Sequence, residues 1–212
     1  MSLKLPKVYP ITDRNISSLS HEEQVRRLIA GGATLIQLRE KTGSPRAFFE
    51  DAAAALRRAR DAGVTLVIND RVDIALALGA DGVHLGQTDM PVTAARRLLG
   101  SRAIIGYSTH NLAQATAALD LPIDYLALGP IFETRSKENP DPIAGLEAIR
   151  NVRRVAASLP LVAIGGIQRS NLQEVLSAGA DSTAVISAIL TDPENIAKTL
   201  RKLSAESSDK PG

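Results

Sequence analysis

Cysteine and tryptophan are both absent from the 212-residue chain, and phenylalanine and tyrosine number three each. Without cysteine, the protein has no disulfide, no thiolate metal ligand and no cysteine nucleophile. So few aromatic rings leave few stacking platforms for single-stranded nucleic acid, and a net charge of +2 is too small to indicate phosphate-backbone binding. We therefore predict that nucleic acid is not a partner.

Long apolar runs are missing as well. No stretch approaches the roughly 18 residues that a membrane-spanning helix needs, and residues 1–10 lack the apolar segment of a signal peptide. The histidines His21, His84 and His110 are too widely spaced for a local zinc motif. These features predict a cytoplasmic protein with no membrane partner, and they leave a homo-oligomer open.

Short apolar runs alternate with segments of helical spacing along the whole chain. Continuous apolar runs are typical of parallel strands that are covered by helices. The runs lie at Val8–Thr12, Leu35–Leu38, Thr65–Ile68, Gly82–Leu85, Ile104–Tyr107, Tyr125–Leu128, Leu161–Ile164 and Thr183–Ser187. The helical segments lie around Glu22–Ala30, Arg46–Ala62, Val72–Leu78, Val92–Leu99, Leu112–Leu119, Leu146–Ser158, Leu172–Ala178 and Pro193–Leu203. This alternation predicts one α/β domain, a (β/α)8 TIM barrel over residues 1–203, followed by a disordered tail over residues 204–212.

A doubly wound open sheet is the alternative fold for the same alternation. Such a sheet usually carries a glycine-rich phosphate turn after its first strand, and here that place holds Thr12-Asp13-Arg14-Asn15. We therefore favour the barrel. Gly32, Gly79 and Gly179 each follow a helical segment, where a left-handed glycine commonly ends a helix.

Polar residues gather where the predicted strands end, on the face that carries the active site in TIM barrels. They are the cations Arg39, Lys41 and Lys137, the carboxylates Asp70 and Asp89, and neighbouring amide, hydroxyl and glycine groups. Two carboxylates across a cleft suit Mg²⁺ together with phosphate oxygens, and the cations would neutralise the remaining phosphate charge. Glycines and a hydroxyl after the last two strands match the usual barrel phosphate cradle. This rim predicts a diphosphate site with Mg²⁺ and a separate phosphate site.

Each of these residues also has a purely structural interpretation. Asp70 and Asp89 could cap the helices that follow them. Lys41 and Lys137 could be solvated surface charges, and a histidine within an apolar strand, such as His84, is usually a hydrogen-bonded core residue. We favour the site because these features fall together at so many strand ends.

Several motifs, taken in order, resemble the thiamine phosphate synthase family. The resemblance runs from about Tyr9 to Leu203 with family-like spacing. The motifs are Tyr9-Pro10-Ile11-Thr12-Asp13, Gln37-Leu38-Arg39-Glu40-Lys41, Asn69-Asp70-Arg71-Val72-Asp73, Gly82-Val83-His84-Leu85-Gly86-Gln87-Thr88-Asp89, Gly129-Pro130-Ile131-Phe132, Ala163-Ile164-Gly165-Gly166-Ile167 and Ala184-Val185-Ile186-Ser187-Ala188-Ile189. The resemblance implies a (β/α)8 transferase of thiamine biosynthesis, which joins a pyrimidine diphosphate ester to a thiazole phosphate through a pyrimidine-methyl cation and releases diphosphate.

The resemblance also implies a role for individual residues. The pyrimidine diphosphate would be held by Gln37, Arg39, Lys41, Asn69, Ser108 and Lys137. Mg²⁺ would be held by Asp70 and Asp89, and the thiazole phosphate by Thr134, Arg135, Ser136, Gly166, Ile186 and Ser187. Catalytic roles would fall to Lys137, Arg39 and Lys41, because cations stabilise the charge that grows on the departing diphosphate.

The chain departs from the family pattern in the loop after the sixth predicted strand. The loop reads Thr134-Arg135-Ser136-Lys137 where the family usually has Thr-x-Thr-Lys, and Ser182 stands where glycine is usual. This loop also resembles the sister family of thiazole tautomerases, but those proteins often lack part of the Mg²⁺ and pyrimidine set and have a histidine about where Pro130 stands. Both differences favour the synthase. A tautomerase-type isomerase, a non-catalytic phosphate-binding barrel and a Schiff-base aldolase using Lys41 or Lys137 are the alternatives.

Overall fold

The computed structural model describes residue 3, residues 5–134 and residues 141–207. Its strands are β1 Val8–Thr12, β2 Leu35–Leu38, β3 Thr65–Asn69, β4 Gly82–Leu85, β5 Ile104–Thr109, β6 Tyr125–Leu128, β7 Leu161–Ile164 and β8 Ser182–Val185. All neighbouring strands are parallel, and they close into a barrel in chain order because β8 pairs with β1. The predicted barrel is confirmed, and the doubly wound alternative is excluded.

Helices follow the strands and cover the outside of the barrel. They are α1 Arg14–Ser17, α2 His21–Ala30, α3 Pro45–Asp61, α4 Val72–Leu78, α5 Val92–Leu99, α6 Leu112–Ala118, α7 Gly145–Ala156, α8 Leu172–Ser177, α9 Ser187–Leu190 and α10 Ile196–Glu206. A 3₁₀ turn over Pro193–Asn195 precedes α10. Within the described ranges, no helix combines the length and apolar character needed to cross a membrane. The predicted cytoplasmic location stays a prediction.

The strands separate two hydrophobic layers. Side chains along a strand point alternately to its two faces, so Leu35 packs inside the barrel and Ile36 packs against the helices. The interior cluster consists of Tyr9, Ile11, Leu35, Val67, Tyr125, Ala127, Val162 and Ala184. Because both faces of every strand are covered, the strands read as continuous apolar runs rather than as alternating ones.

Aspartates tie neighbouring strands together at the amino-terminal end of the barrel. Asp81 precedes β4, and its side chain accepts a hydrogen bond from the backbone amide of Leu66 in β3 at 2.7 Å. Asp124 and Asp181 stand in the same place before β6 and β8, and each accepts from the neighbouring strand at 2.8 Å. These aspartates, two of which end the sequences Gly79-Ala80-Asp81 and Gly179-Ala180-Asp181, therefore serve the fold at the end of the barrel opposite the predicted site.

The end of the last strand and the end of the last helix differ from the predictions. β8 ends at Val185 rather than at Ser187, because the backbone turns at Ile186 and Ser187 begins the short helix α9. The predicted tail begins three residues too early, since α10 continues to Glu206, which Arg169 holds with a side-chain hydrogen bond of 2.6 Å. Residues 208–212 lie outside the described part of the chain.

Ser182 is a departure from the family pattern that has a stability consequence. It is fully buried, and its Oγ has no hydrogen-bond partner within the described residues. We expect Ser182→Ala to raise the free energy of unfolding by about 1 kcal/mol, because it removes a hydroxyl that is desolvated without compensation. Urea denaturation measures this change as a higher midpoint at an unchanged slope.

Thr183 provides the matched control for this stability prediction. Its Oγ1 donates to the Lys7 carbonyl at 2.9 Å, so Thr183→Val should lower the free energy of unfolding. A midpoint for Ser182→Ala at or below that of the parent would show that the buried hydroxyl carries no such penalty.

Candidate active site

A cavity of about 420 Å³ opens at the carboxyl ends of the strands. All of the predicted site residues that the structure describes line it: Gln37, Arg39, Lys41, Asn69, Asp70, Asp89, Ser108, Thr134, Gly166, Ile186 and Ser187. The remaining three, Arg135, Ser136 and Lys137, lie outside the described residues. Residues distant in sequence meet here because the carboxyl ends of all parallel strands open onto the same face of a barrel.

Asp70 stands directly after β3 and does not cap the next helix. Helix α4 begins after Arg71 without any side-chain capping bond. The Asp70 backbone takes a left-handed conformation with φ 62°, uncommon outside glycine, and its carboxylate accepts from Lys41 Nζ at 2.5 Å. The capping interpretation of Asp70 is therefore wrong, and its side chain is held in the cavity by a cation.

Asp89 closes the loop after β4, and it too makes no helix cap. Helix α5 begins after Pro91 without a side-chain capping bond, and Asp89 Oδ2 accepts from the Gly86 amide at 2.6 Å. Burial and the neighbouring Asp70 carboxyl raise the pKa of Asp89, while the Gly86 amide acts in the opposite direction. The Asp70 carboxyl thus lies close enough to disfavour the charged form of Asp89, and a divalent cation bound between the two would relieve this effect.

The donor set at this pair fits Mg²⁺. Within the described ranges, no group of three or more histidine, aspartate or glutamate side chains is arranged to hold a metal ion. A pair of carboxylates supplies only part of an octahedral shell, and Mg²⁺ is commonly bound by one or two carboxylates with substrate phosphates and waters completing the shell. Asp70 and Asp89 are therefore suited to a metal that arrives with a phosphorylated substrate.

The cations beside the carboxylates are oriented by acidic partners. Arg39 follows β2 and forms a salt bridge with Asp13, whose side chain also accepts from the Asn15 amide at 2.9 Å. The side chain of Arg39 is only 12% exposed. Sequence reasoning did not assign Asp13 a role, although it ends the motif that begins at Tyr9. Arg39 and Lys41 therefore present positive charge from fixed positions, which suits binding of a polyanion.

The opposite side of the cavity is built from a glycine turn and the start of α9. Gly166 has φ 65°, and a Cβ there would lie 2.4 Å from the Glu133 carbonyl oxygen and 2.7 Å from Phe132 Cβ. The loop after β6 therefore packs directly on this turn, and no other residue type fits. Ile186 and Ser187 line the same cavity where the chain enters α9. Backbone amides and a hydroxyl at such a position are suited to a single phosphate group.

The floor of the cavity contains three side chains that sequence reasoning did not include in the site. Tyr9, His84 and Tyr125 line it from inside the barrel. The structural interpretation of His84 is confirmed, since its Nδ1 contacts the Tyr125 hydroxyl at 2.9 Å and its Nε2 contacts Ser108 Oγ at 2.8 Å. In the sequence these residues lie in apolar strand runs, and only their polar atoms distinguish them from other core residues.

Comparison with known proteins matches the chain to one family. A family profile described as thiamine monophosphate synthase matches residues 8–189. The thiamine-phosphate synthase of Koribacter versatilis is 48% identical over 198 residues, covering 90% of this chain and 92% of the relative. That of Chloroflexus aurantiacus is 44% identical over 207 residues, covering 96% and 95%.

A solved structure extends the similarity to three dimensions. The thiamine phosphate pyrophosphorylase from Pyrococcus furiosus superposes with a TM-score of 0.83 at 38% identity, covering 96% of this chain and 97% of that protein. Several relatives well above 30% identity, each aligned over nearly the full chain, agree with the profile. The chain therefore belongs to the thiamine monophosphate synthase family of transferases.

Proposed function

We propose that the protein condenses 4-amino-2-methyl-5-(diphosphooxymethyl)pyrimidine with a thiazole phosphate to give thiamine phosphate and diphosphate; with the carboxylated form of the thiazole phosphate, CO₂ is released as well. One observation carries the proposal: a single cavity has paired carboxylates and cations on one side and a glycine–hydroxyl cradle on the other. The two sides of the cavity therefore suit two different anions, a diphosphate and a single phosphate. Holding both substrates in one cavity would bring the reacting atoms together at high effective concentration.

Residues within or just after β2, β3, β4 and β5 would serve the pyrimidine diphosphate. Arg39 and Lys41 would neutralise the diphosphate, while Gln37, Asn69 and Ser108 would add neutral hydrogen bonds. When bound by Asp70 and Asp89, Mg²⁺ would supply further charge neutralisation to the leaving group.

The reaction requires little acid–base catalysis by protein side chains. As diphosphate departs, the amino group of the pyrimidine ring stabilises the resulting pyrimidine-methyl cation, and the thiazole nitrogen then forms the new bond. The side chains need to stabilise negative charge as it develops on the leaving oxygen and to hold the nucleophile in line. Lys137, which lies beyond the described ranges, would follow that charge as a compact ammonium.

The thiazole phosphate would occupy the cradle formed by Gly166, Ile186 and Ser187, together with Thr134, Arg135 and Ser136. We expect Gly166→Ala to raise the KM for the thiazole phosphate by about tenfold or more, because the new Cβ collides with Phe132 and Glu133 and so displaces the loop that leads to Thr134. The KM for the pyrimidine diphosphate should change by less than about threefold, since that substrate would be held by separate groups. Steady-state kinetics with each substrate varied in turn measure both values.

Gly32→Ala is the matched control for the Gly166 variant. Gly32 has φ 90°, but a Cβ there has no atom within 4 Å, so this substitution adds backbone strain without a collision at the cavity. Its KM values should stay at the parent level. An equal rise of both KM values in Gly166→Ala would argue against two separate anion sites.

Genetic complementation tests the proposed function. A bacterium that lacks its own thiamine phosphate synthase should grow without thiamine when it expresses this chain. Added thiamine provides the positive control for growth. Failure of growth while the folded protein accumulates in the cells would count against the proposal.

A further inference from the structure

A series of side-chain hydrogen bonds crosses the barrel interior beneath the cavity. It starts at Gln37, whose Nε2 donates to the Tyr9 hydroxyl at 3.2 Å. The Tyr9 and Tyr125 hydroxyls lie 3.2 Å apart, and the Tyr125 hydroxyl lies 2.9 Å from His84 Nδ1. His84 Nε2 then lies 2.8 Å from Ser108 Oγ. We call these five residues the interior network; both of its ends, Gln37 and Ser108, are proposed substrate contacts.

The middle of the interior network is sealed from solvent. Tyr9 is 1% exposed and Tyr125 is fully buried. Burial raises the pKa of Tyr9 to about 12 and raises that of Tyr125 well above its usual value. Both phenols therefore keep their hydrogens at neutral pH, and each can donate one hydrogen bond while accepting another.

Gly106 leaves the space in which His84 and Tyr125 contact each other. The two residues lie on β4 and β6, and the residue paired with both on the intervening strand β5 is Gly106. A Cβ on Gly106 would lie 2.0 Å from Tyr125 Cζ and 2.5 Å from His84 Nδ1. Because Gly106 has no side chain, the rings of His84 and Tyr125 pack against each other across β5, with their centroids 5.5 Å apart.

The amide of Gln37 determines which group donates and which accepts in each hydrogen bond of the interior network. The Tyr9 hydroxyl accepts from Gln37, because an amide nitrogen only donates, and its other partner among the described residues is the Tyr125 hydroxyl. We therefore assign the Tyr9 hydrogen to Tyr125. Tyr125 in turn donates to His84 Nδ1, which requires a neutral imidazole with its hydrogen on Nε2. That hydrogen is donated to Ser108 Oγ. The hydroxyl hydrogen of Ser108 is then available for donation to a ligand in the cavity that Ser108 lines.

We propose that Tyr9, Tyr125 and His84 are positioning residues that fix Ser108 as a hydrogen-bond donor to the diphosphate of the pyrimidine substrate. This inference rests on the proposed function. A serine hydroxyl can either donate or accept, and only a donor stabilises an anion. Because Ser108 already accepts from His84, its hydroxyl hydrogen is oriented before substrate binds, so little reorganisation is needed as charge grows on the diphosphate.

The histidine tautomer is the most direct test, and it needs neither substrate nor activity. In protein labelled with ¹⁵N-histidine, long-range ¹H–¹⁵N correlation spectra at neutral pH distinguish the two tautomers. The His84 signals are those lost in His84→Gln. We expect a neutral ring with hydrogen on Nε2, and in Tyr125→Phe the Nδ1 signal should move toward that of a nitrogen without a donor. A hydrogen on Nδ1, or a doubly protonated ring, would reverse the network and overturn the proposal.

A double-mutant cycle tests whether Tyr125 acts through Ser108. We expect Tyr125→Phe to lower kcat/KM for the pyrimidine diphosphate about tenfold, the typical effect of one hydrogen bond to a charged group. In the Ser108→Ala background the same substitution should cost less than about twofold, because the hydroxyl that it orients is gone. The KM for the thiazole phosphate should not change.

Tyr107→Phe is the matched control, because it removes a phenol hydroxyl from the neighbouring strand β5 outside the interior network; its kinetics should equal those of the parent. A tenfold loss from Tyr125→Phe in both serine backgrounds would overturn the positioning role. If the parent protein forms no thiamine phosphate, the proposed function fails, and the tautomer measurement still decides the direction of the network.

Discussion

Replacing Asp89 by alanine should lower kcat for thiamine phosphate formation by about 10²-fold or more while leaving the fold intact. In the proposed site, Asp89 and Asp70 hold the Mg²⁺ that neutralises the departing diphosphate, and removing one ligand weakens stabilisation of that charge. The fold should persist because Asp89 caps no helix, and the backbone group that its side chain bonds is a loop amide, that of Gly86. Steady-state kinetics at saturating Mg²⁺ and circular dichroism check both statements.

Asp120→Ala is the control for charge removal. Asp120 is exposed in the segment between α6 and β6, and it does not line the cavity. Its activity should equal that of the parent at every Mg²⁺ concentration. Undiminished activity of the parent in excess EDTA, or full activity of Asp89→Ala, would show that the reaction does not depend on a metal held by Asp89.

Lys137→Ala should lower kcat by about 10²-fold or more, with a smaller change in affinity for the pyrimidine diphosphate. A charge that follows the leaving oxygen interacts most strongly in the transition state, so its loss shows in kcat rather than in KM. Lys137→Arg should restore only part of the rate, since a planar guanidinium does not replace a compact ammonium. Single-turnover kinetics separate this chemical step from product release.

Lys198→Ala, on the exposed face of α10, is the control for removing one positive charge. It should leave kcat unchanged. In a tautomerase no diphosphate leaves, so Lys137→Ala would there spare thiazole isomerisation. A kcat for thiamine phosphate formation within a few-fold of the parent would make Lys137 a surface charge.

The sequence predicted the barrel well because its signals are local and repeated. Strands covered on both faces read as apolar runs, and several of them, such as Tyr125–Leu128, match the predicted bounds. The end of β8 was missed because the apolar run continues through Ile186 although the backbone turns there. The end of α10 was missed because it depends on a contact with Arg169 from a distant loop.

The candidate site was predictable where polar residues interrupt apolar strands. Asp70 and Asp89 were found in this way, but only the structure excludes capping as their role, because a cap depends on backbone geometry. The interior network was not found. Tyr125 and His84 occupy strand positions that core residues also fill, and the hydrogen bond between them depends on the register of β4, β5 and β6.

The proposed reaction is tested most directly by incubating the purified protein with both substrates and Mg²⁺ and quantifying diphosphate and thiamine phosphate over time. We expect the two products to appear in equal amounts, and thiamine phosphate to require both substrates. Isomerisation of a thiazole phosphate without diphosphate release would instead identify a tautomerase. If no thiamine phosphate forms and borohydride instead traps an adduct with a carbonyl substrate, the protein is a Schiff-base aldolase and the proposed synthase reaction is wrong.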